Sequence, residues 1–91
     1  MRLSKTIYYS KVEKKFLKKH KNLLDKYKEI LIKLTNNPFD NSLKTHKLKG
    51  NLSDFYACSF TFEYRIVMVI KIIDDEIILA NIGTHDDVYG K

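Results

Sequence analysis

Apolar and polar positions change their rhythm about halfway along this chain, and the change divides it into a helical part and a stranded part. Residues 2–9, RLSKTIYY, place Leu3, Ile7 and Tyr9 on one side of an extended chain, which predicts a short strand. Ser10-Lys11-Val12-Glu13 follows as a capping box: the serine hydroxyl can accept an N–H of the first turn and Glu13 can reach back, so a helix is expected to start there. Val12 and Phe16, one turn apart, supply its buried stripe. A second helix is expected from about Asn22, where Leu23, Leu24, Tyr27, Ile30, Leu31 and Leu34 recur at three- and four-residue spacing. Lys26, Lys28 and Lys33 fall on its other faces. Asn36-Asn37-Pro38 ends it, because proline disfavours helical geometry in the residue before it.

Beyond Pro38 the pattern turns to that of strands. Residues 44–49 read as a short extended stretch closed by Gly50-Asn51. Residues 55–61, 64–73 and 76–82 are rich in Ile, Val, Phe and Tyr with polar breaks between them. Asp74-Asp75 is a tight-turn pair that makes residues 64–82 a hairpin, and a further turn is placed at Phe62-Glu63. The expected fold is α+β: an N-terminal strand and a two-helix hairpin packed on a mainly antiparallel sheet. With 91 residues, no repeat and no linker, the chain is expected to be one domain spanning residues 1–91.

Charge sharpens this picture. The net charge is +6, but residues 1–37 carry eleven Lys/Arg against three acids, whereas residues 50–90 carry two against seven. A one-sided basic surface suits a phosphate backbone or an acidic protein partner, and equally describes a solvated lysine face. No apolar run approaches the roughly 20 residues of a membrane span. The opening MRLSKTIYYS lacks the apolar core of a secretory signal. A lone cysteine, Cys58, suits a reducing cytoplasm and reads as a small buried hydrophobe. A cytoplasmic protein without a membrane partner is expected.

The chain has no phosphate-loop glycine motif, no HExxH, no paired cysteines and no GxSxG elbow. Its three histidines show no metal-ligand spacing, so neither a metal nor a cofactor is expected. The candidate chemistry lies in His46, Glu63, Arg65, His85 and Tyr89. Fifteen lysines stand against two arginines, yet Arg65 interrupts the apolar run Tyr64–Ile70. A guanidinium there must meet an anion or reach solvent, and two-pronged binding of phosphate is what arginine does better than lysine. An ion pair with Glu63 or another acid would satisfy it equally. His85, on a loop just after the last strand, can exchange protons near neutrality or can be an ordinary surface histidine, and His46 has the same two readings. His20, in a lysine run, is assigned to the solvated face of the first helix.

Taken together, His46-x-Leu48-x-Gly50, Tyr64-Arg65-Ile66-Val67 and Ile82-Gly83-Thr84-His85-Asp86-Asp87-Val88-Tyr89 resemble the RelE/ParE toxin superfamily, most of all its histidine-containing, YafQ-like branch. The strand–helix–helix–strands order extends the likeness over nearly the whole chain. The resemblance implies the toxin of a type II toxin–antitoxin pair: a cytoplasmic endoribonuclease that cuts messenger RNA, usually on the ribosome, and is neutralised by a co-encoded antitoxin. Its chemistry would be attack of the 2′-OH on the adjacent phosphate. By resemblance His85 is the general acid, Glu63 the first choice for base with His46 as competitor, Arg65 the ligand of the scissile phosphate, and Tyr89 a stacking or orienting group. Lys44, Lys47 and Lys49 would bind the RNA backbone. Ser59 stands where relatives often carry another histidine, and serine cannot shuttle protons as imidazole does. The alternative within the superfamily is a ParE-like, non-enzymatic inhibitor of DNA gyrase.

Overall fold

A computed structural model describes residues 1–89. The elements run β1 (Arg2–Lys5), α1 (Ile7–Lys19), α2 (Leu24–Asn36), β2 (His46–Lys47), β3 (Tyr56–Ser59), β4 (Tyr64–Lys71), β5 (Glu76–Thr84) and α3 (His85–Tyr89). The five strands form one sheet in the order β1-β5-β4-β3-β2. Neighbours among β2 to β5 are antiparallel, and β1 joins β5 in parallel, so the sheet is mixed but mainly antiparallel, as the sequence predicts. No helix among the described residues is long and apolar enough to cross a membrane.

The first helix departs from the sequence expectation. The strand ends at Lys5, and Thr6, not Ser10, caps α1, its hydroxyl accepting from the Tyr9 N–H at 2.9 Å. Starting four residues earlier puts Tyr9, Val12 and Phe16 on one face at spacings of three and four. Tyr9 is then fully buried, while Ile7, which the sequence groups with Leu3 and Tyr9 on one side of the strand, is 81% exposed. Glu13 has no capping role. It accepts from Lys5 Nζ at 2.8 Å and from the Tyr27 hydroxyl, which is itself 2.6 Å from the Tyr9 hydroxyl. This chain of bonds joins β1, α1 and α2 and satisfies both buried phenols. The second helix begins at Leu24, after a single 3₁₀ turn at Lys21–Leu23. Leu24 is exposed; Tyr27, Ile30 and Leu34 form the buried stripe.

The main core lies between the two helices and one sheet face, where Tyr9, Phe16, Ile30 and Leu34 meet Ile66, Met68, Ile77 and Leu79. A small second cluster, Ala57, Val67 and Val88, sits on the opposite face under α3. The register between β4 and β5 shifts there: Met68 opposes Leu79 but Val67 opposes Asn81, leaving Ala80 as the extra residue of a bulge. The bulge lets Leu79 and Ile82 both enter the main core while Ala80 joins the second cluster. It also sets Gly83 opposite Arg65.

Candidate active site

The last strand does not end in a loop, as the sequence suggests, but turns at once into α3. Thr84 and Asp87 make a reciprocal cap: the Asp87 N–H donates to Thr84 Oγ1 and the Thr84 N–H donates to Asp87 Oδ2, each at 3.1 Å. The Thr84 N–H, and next the Thr84 hydroxyl, hold the Asp87 carboxyl below the usual carboxylate range. The helix is short, yet it buries Val88 and thereby aims both ends. His85 and Tyr89, four residues apart, pack edge to face with ring centroids 4.3 Å apart. Nδ1 of His85 lies 3.6 Å from the Asp86 carboxylate, and both side chains remain well exposed.

Across from α3 runs the edge strand β2. His46, Lys47 and Lys49 line a cleft of about 460 Å³ together with His85 and Tyr89. Nδ1 of His46 is 3.1 Å from the Lys44 carbonyl. A carbonyl can only accept, so this bond places the proton of the neutral ring on Nδ1 and leaves the Nε2 lone pair free. Burial raises the Tyr89 phenol above its ordinary pKa, partly offset by the positive charge of Arg65, so it is a hydrogen-bond donor at neutral pH.

The other candidates lie around the turn between β3 and β4. Arg65 is half-buried, and its Nη1 donates to the carbonyls of Thr61, Phe62 and Tyr64 at 3.0–3.1 Å. The guanidinium thus ties down the turn and makes no ion pair with a described acid. Glu63 is exposed on that turn and is not among the residues lining the His46–His85 cleft. Lys44 has a left-handed backbone (φ 53°) and faces a second groove that also contains Arg65. Ser59 pairs with Arg65 in the β3–β4 ladder and lines that same groove.

One further expectation changes. His20 is not on a solvated face: it ends α1, with its ring 4.5 Å from that of Phe16 and 5.1 Å from that of Tyr64. Cys58 is fully buried, as the sequence suggests, and burial pushes its thiol up to about 12. Among the described residues no cluster of three or more His, Cys, Asp or Glu could hold a metal ion.

A direct sequence comparison with curated proteins returns no match. Solved structures share the fold over nearly their entire length. A copper-bound variant of a toxin from Helicobacter pylori is 26% identical, with a TM-score of 0.81 over 98% of this chain and 99% of that one. YafQ from Escherichia coli strain BL21(DE3) is 19% identical, with a TM-score of 0.81 over 99% of this chain and 100% of that one. The E. coli DinJ–YafQ toxin–antitoxin complex superposes with a TM-score of 0.77 at 21% identity, over 97% of this chain and 96% of that one. The profile of a family described as the bacterial toxin YafQ of type II toxin–antitoxin systems matches residues 1–90, and the chain belongs to that family.

Proposed function

We propose that this toxin is an endoribonuclease that cuts messenger RNA by attack of a 2′-OH on the adjacent phosphate, and that the cleft between β2 and α3 is its active site. The observation that carries this reading is that His46 and His85, far apart in sequence, line one cleft with Tyr89, Lys47 and Lys49. In-line attack needs a base on one side of the phosphate, an acid on the other and donors for the charge that builds between them. Nε2 of His46 takes the proton of the 2′-OH as the oxygen bonds to phosphorus. His85 gives a proton to the departing 5′-oxygen, and the products are a 2′,3′-cyclic phosphate and a 5′-OH. Tyr89 donates to a non-bridging oxygen, and Lys47 and Lys49 hold flanking phosphates. Arg65 lines the neighbouring groove and not this cleft, but its charge acts on Tyr89, and it is assigned the role of supplying positive charge to the phosphorane. His46 is preferred to Glu63 as base because it lines the same cleft as the acid and Glu63 does not.

As the E. coli relative is found in complex with DinJ, this chain is proposed to be held by an antitoxin of its own. Lys11, Lys14, Lys15 and Lys18 line a groove on α1 beside the exposed Tyr8, a surface suited to an acidic partner or to ribosomal RNA. The experiment is to give the purified toxin a message on ribosomes and, separately, the same message 2′-deoxy-substituted at the mapped cut site. Cyclic phosphate ends on the first and no cut in the second are expected. Cleavage of the deoxy-substituted message would rule the mechanism out, and inhibition of DNA gyrase without any RNA cleavage would move the protein to the ParE-like reading.

A further inference from the structure

Lys44 belongs to two surfaces at once. Its carbonyl fixes His46 in the cleft, while its side chain lines a second groove of about 430 Å³ between α2 and the turn joining β3 to β4. Four cations line this groove, namely Lys26, Lys33, Lys44 and Arg65, and no carboxylate does. Lys26 and Lys44 form no ion pair with a described residue; Lys33 reaches Glu29 at 3.8 Å and donates to Ser42 Oγ at 3.2 Å. The hydroxyls of Ser59 and Thr61 add neutral partners for an anion, whereas that of Ser42 donates to Asp40 Oδ1 at 2.6 Å. At the rim stands Phe62, 97% exposed, a phenyl ring that the fold leaves without packing.

We infer that this second groove is a subsite for single-stranded RNA, holding a backbone phosphate on Lys26, Lys33 and Lys44 and stacking one unpaired base on Phe62. The inference rests on the proposed ribonuclease reading and extends it. Cations without a carboxylate suit a phosphodiester, and an exposed ring beside them is the usual platform for a base. Continuity with the cleft favours RNA over an acidic peptide. Residues 44–49 pass from one groove to the other along the sheet edge, and Arg65 lines the second groove while its charge acts on Tyr89 in the first. A strand whose scissile phosphate lies between His46 and His85 thus has a cationic path leading to Phe62.

The test uses the full chain and two fully 2′-O-methylated, uncleavable RNAs, a trinucleotide that fills only the cleft and an octanucleotide that reaches both grooves, in low salt. Phe62→Ala is expected to weaken octanucleotide binding about tenfold, the scale of one stacked base, and to leave the trinucleotide unaffected. Phe62→Trp is expected to restore binding. The Lys26→Ala/Lys33→Ala variant is expected to reduce the slope of log affinity against log salt by about 0.7 for each phosphate no longer neutralised, for the longer RNA alone. Phe62 is exposed, so its loss is expected to leave the melting temperature unchanged. Equal losses on both RNAs, or wild-type octanucleotide binding by Phe62→Ala, overturn the subsite while leaving the ribonuclease reading in place. Weakened antitoxin binding with RNA binding intact assigns the groove to the protein partner and overturns it too. Failure of the wild-type toxin to bind either RNA overturns the ribonuclease reading and the subsite together.

Discussion

The side chain of Asp87 lies directly over Gly83: a β-carbon on that glycine would stand 2.8 Å from Cβ of Asp87 and 3.0 Å from its Oδ2. Real β-carbons do not come so close, so α3 folds back onto β5 only because position 83 has no side chain. Gly83→Ala is expected to push α3 outward and carry His85 and Tyr89 with it. Overpacking of this kind costs about 1–3 kcal/mol. The effect on cleavage is larger, because a shift of about 1 Å in a reacting group costs on the order of 100-fold in rate. Melting curves and single-turnover cleavage on the same preparation check this, and equal activity in the alanine variant would show that the close approach is dispensable.

The cap that starts α3 depends on pH. The Thr84 N–H and hydroxyl lower the Asp87 pKa, so the folded form favours the carboxylate. The stabilisation is present above the ordinary aspartate range and is lost as pH falls through the depressed value. Amide exchange at residues 85–89 is expected to accelerate in that acidic window before the sheet opens, and Asp87→Asn is expected to remove the pH dependence.

His46 and Glu63 offer a direct comparison. Loss of a general base costs typically 10²- to 10⁴-fold. His46→Ala is expected to fall in that range, whereas Glu63→Gln, altered on an exposed turn, is expected to stay within about threefold. Single-turnover rates at saturating ribosomes decide it, and the reverse order would return the base to Glu63.

Arg65→Lys is expected to fail nearly as badly as Arg65→Ala, by about 30- to 1,000-fold, equivalent to roughly 2–4 kcal/mol of transition-state stabilisation. The guanidinium spends Nη1 on the carbonyls of Thr61, Phe62 and Tyr64 and has further N–H donors, whereas an ammonium cannot both hold the turn and offer a planar pair to phosphate. Rates measured well below the melting temperature of both variants separate catalysis from stability. A lysine variant with nearly full activity would remove Arg65 from the mechanism.

Glu13→Ala is expected to leave the buried Tyr9–Tyr27 pair short of an acceptor and to cost about 1–3 kcal/mol in urea unfolding. Cleavage per folded molecule is expected to be unchanged. Burial raises the pKa of both phenols. Their stabilising contribution is therefore complete below the ordinary tyrosine pKa and lost as pH rises above it, where the unfolded chain ionises first. Unfolding is expected to become steeply easier above about pH 10. Tyr9→Phe is expected to flatten that dependence.

Much of the architecture follows from neighbours in the sequence. The three- and four-residue spacing of Tyr27, Ile30 and Leu34 makes α2, Pro38 stops it, and Asp74-Asp75 closes the hairpin, since periodicity and turn chemistry act over a few residues. The candidate residue types were legible for the same reason: an arginine in an apolar strand and a histidine after the last strand are local oddities. Contacts between distant segments decided the rest. The capping box at Ser10 predicts the start of α1 four residues too late, and burial of Tyr9 beside Tyr27 puts the cap at Thr6. The bulge at Ala80 interrupts the alternation that periodicity assumes, because the core needs both Leu79 and Ile82. Residues 85–89 are too short to announce a helix, and only Val88, closing over Ala57 and Val67, makes one. That single packing event brings His85 and Tyr89 to the cleft that His46 enters from the edge strand. The sequence names the residues, and only tertiary packing, which joins positions that no local pattern links, determines which of them can act together.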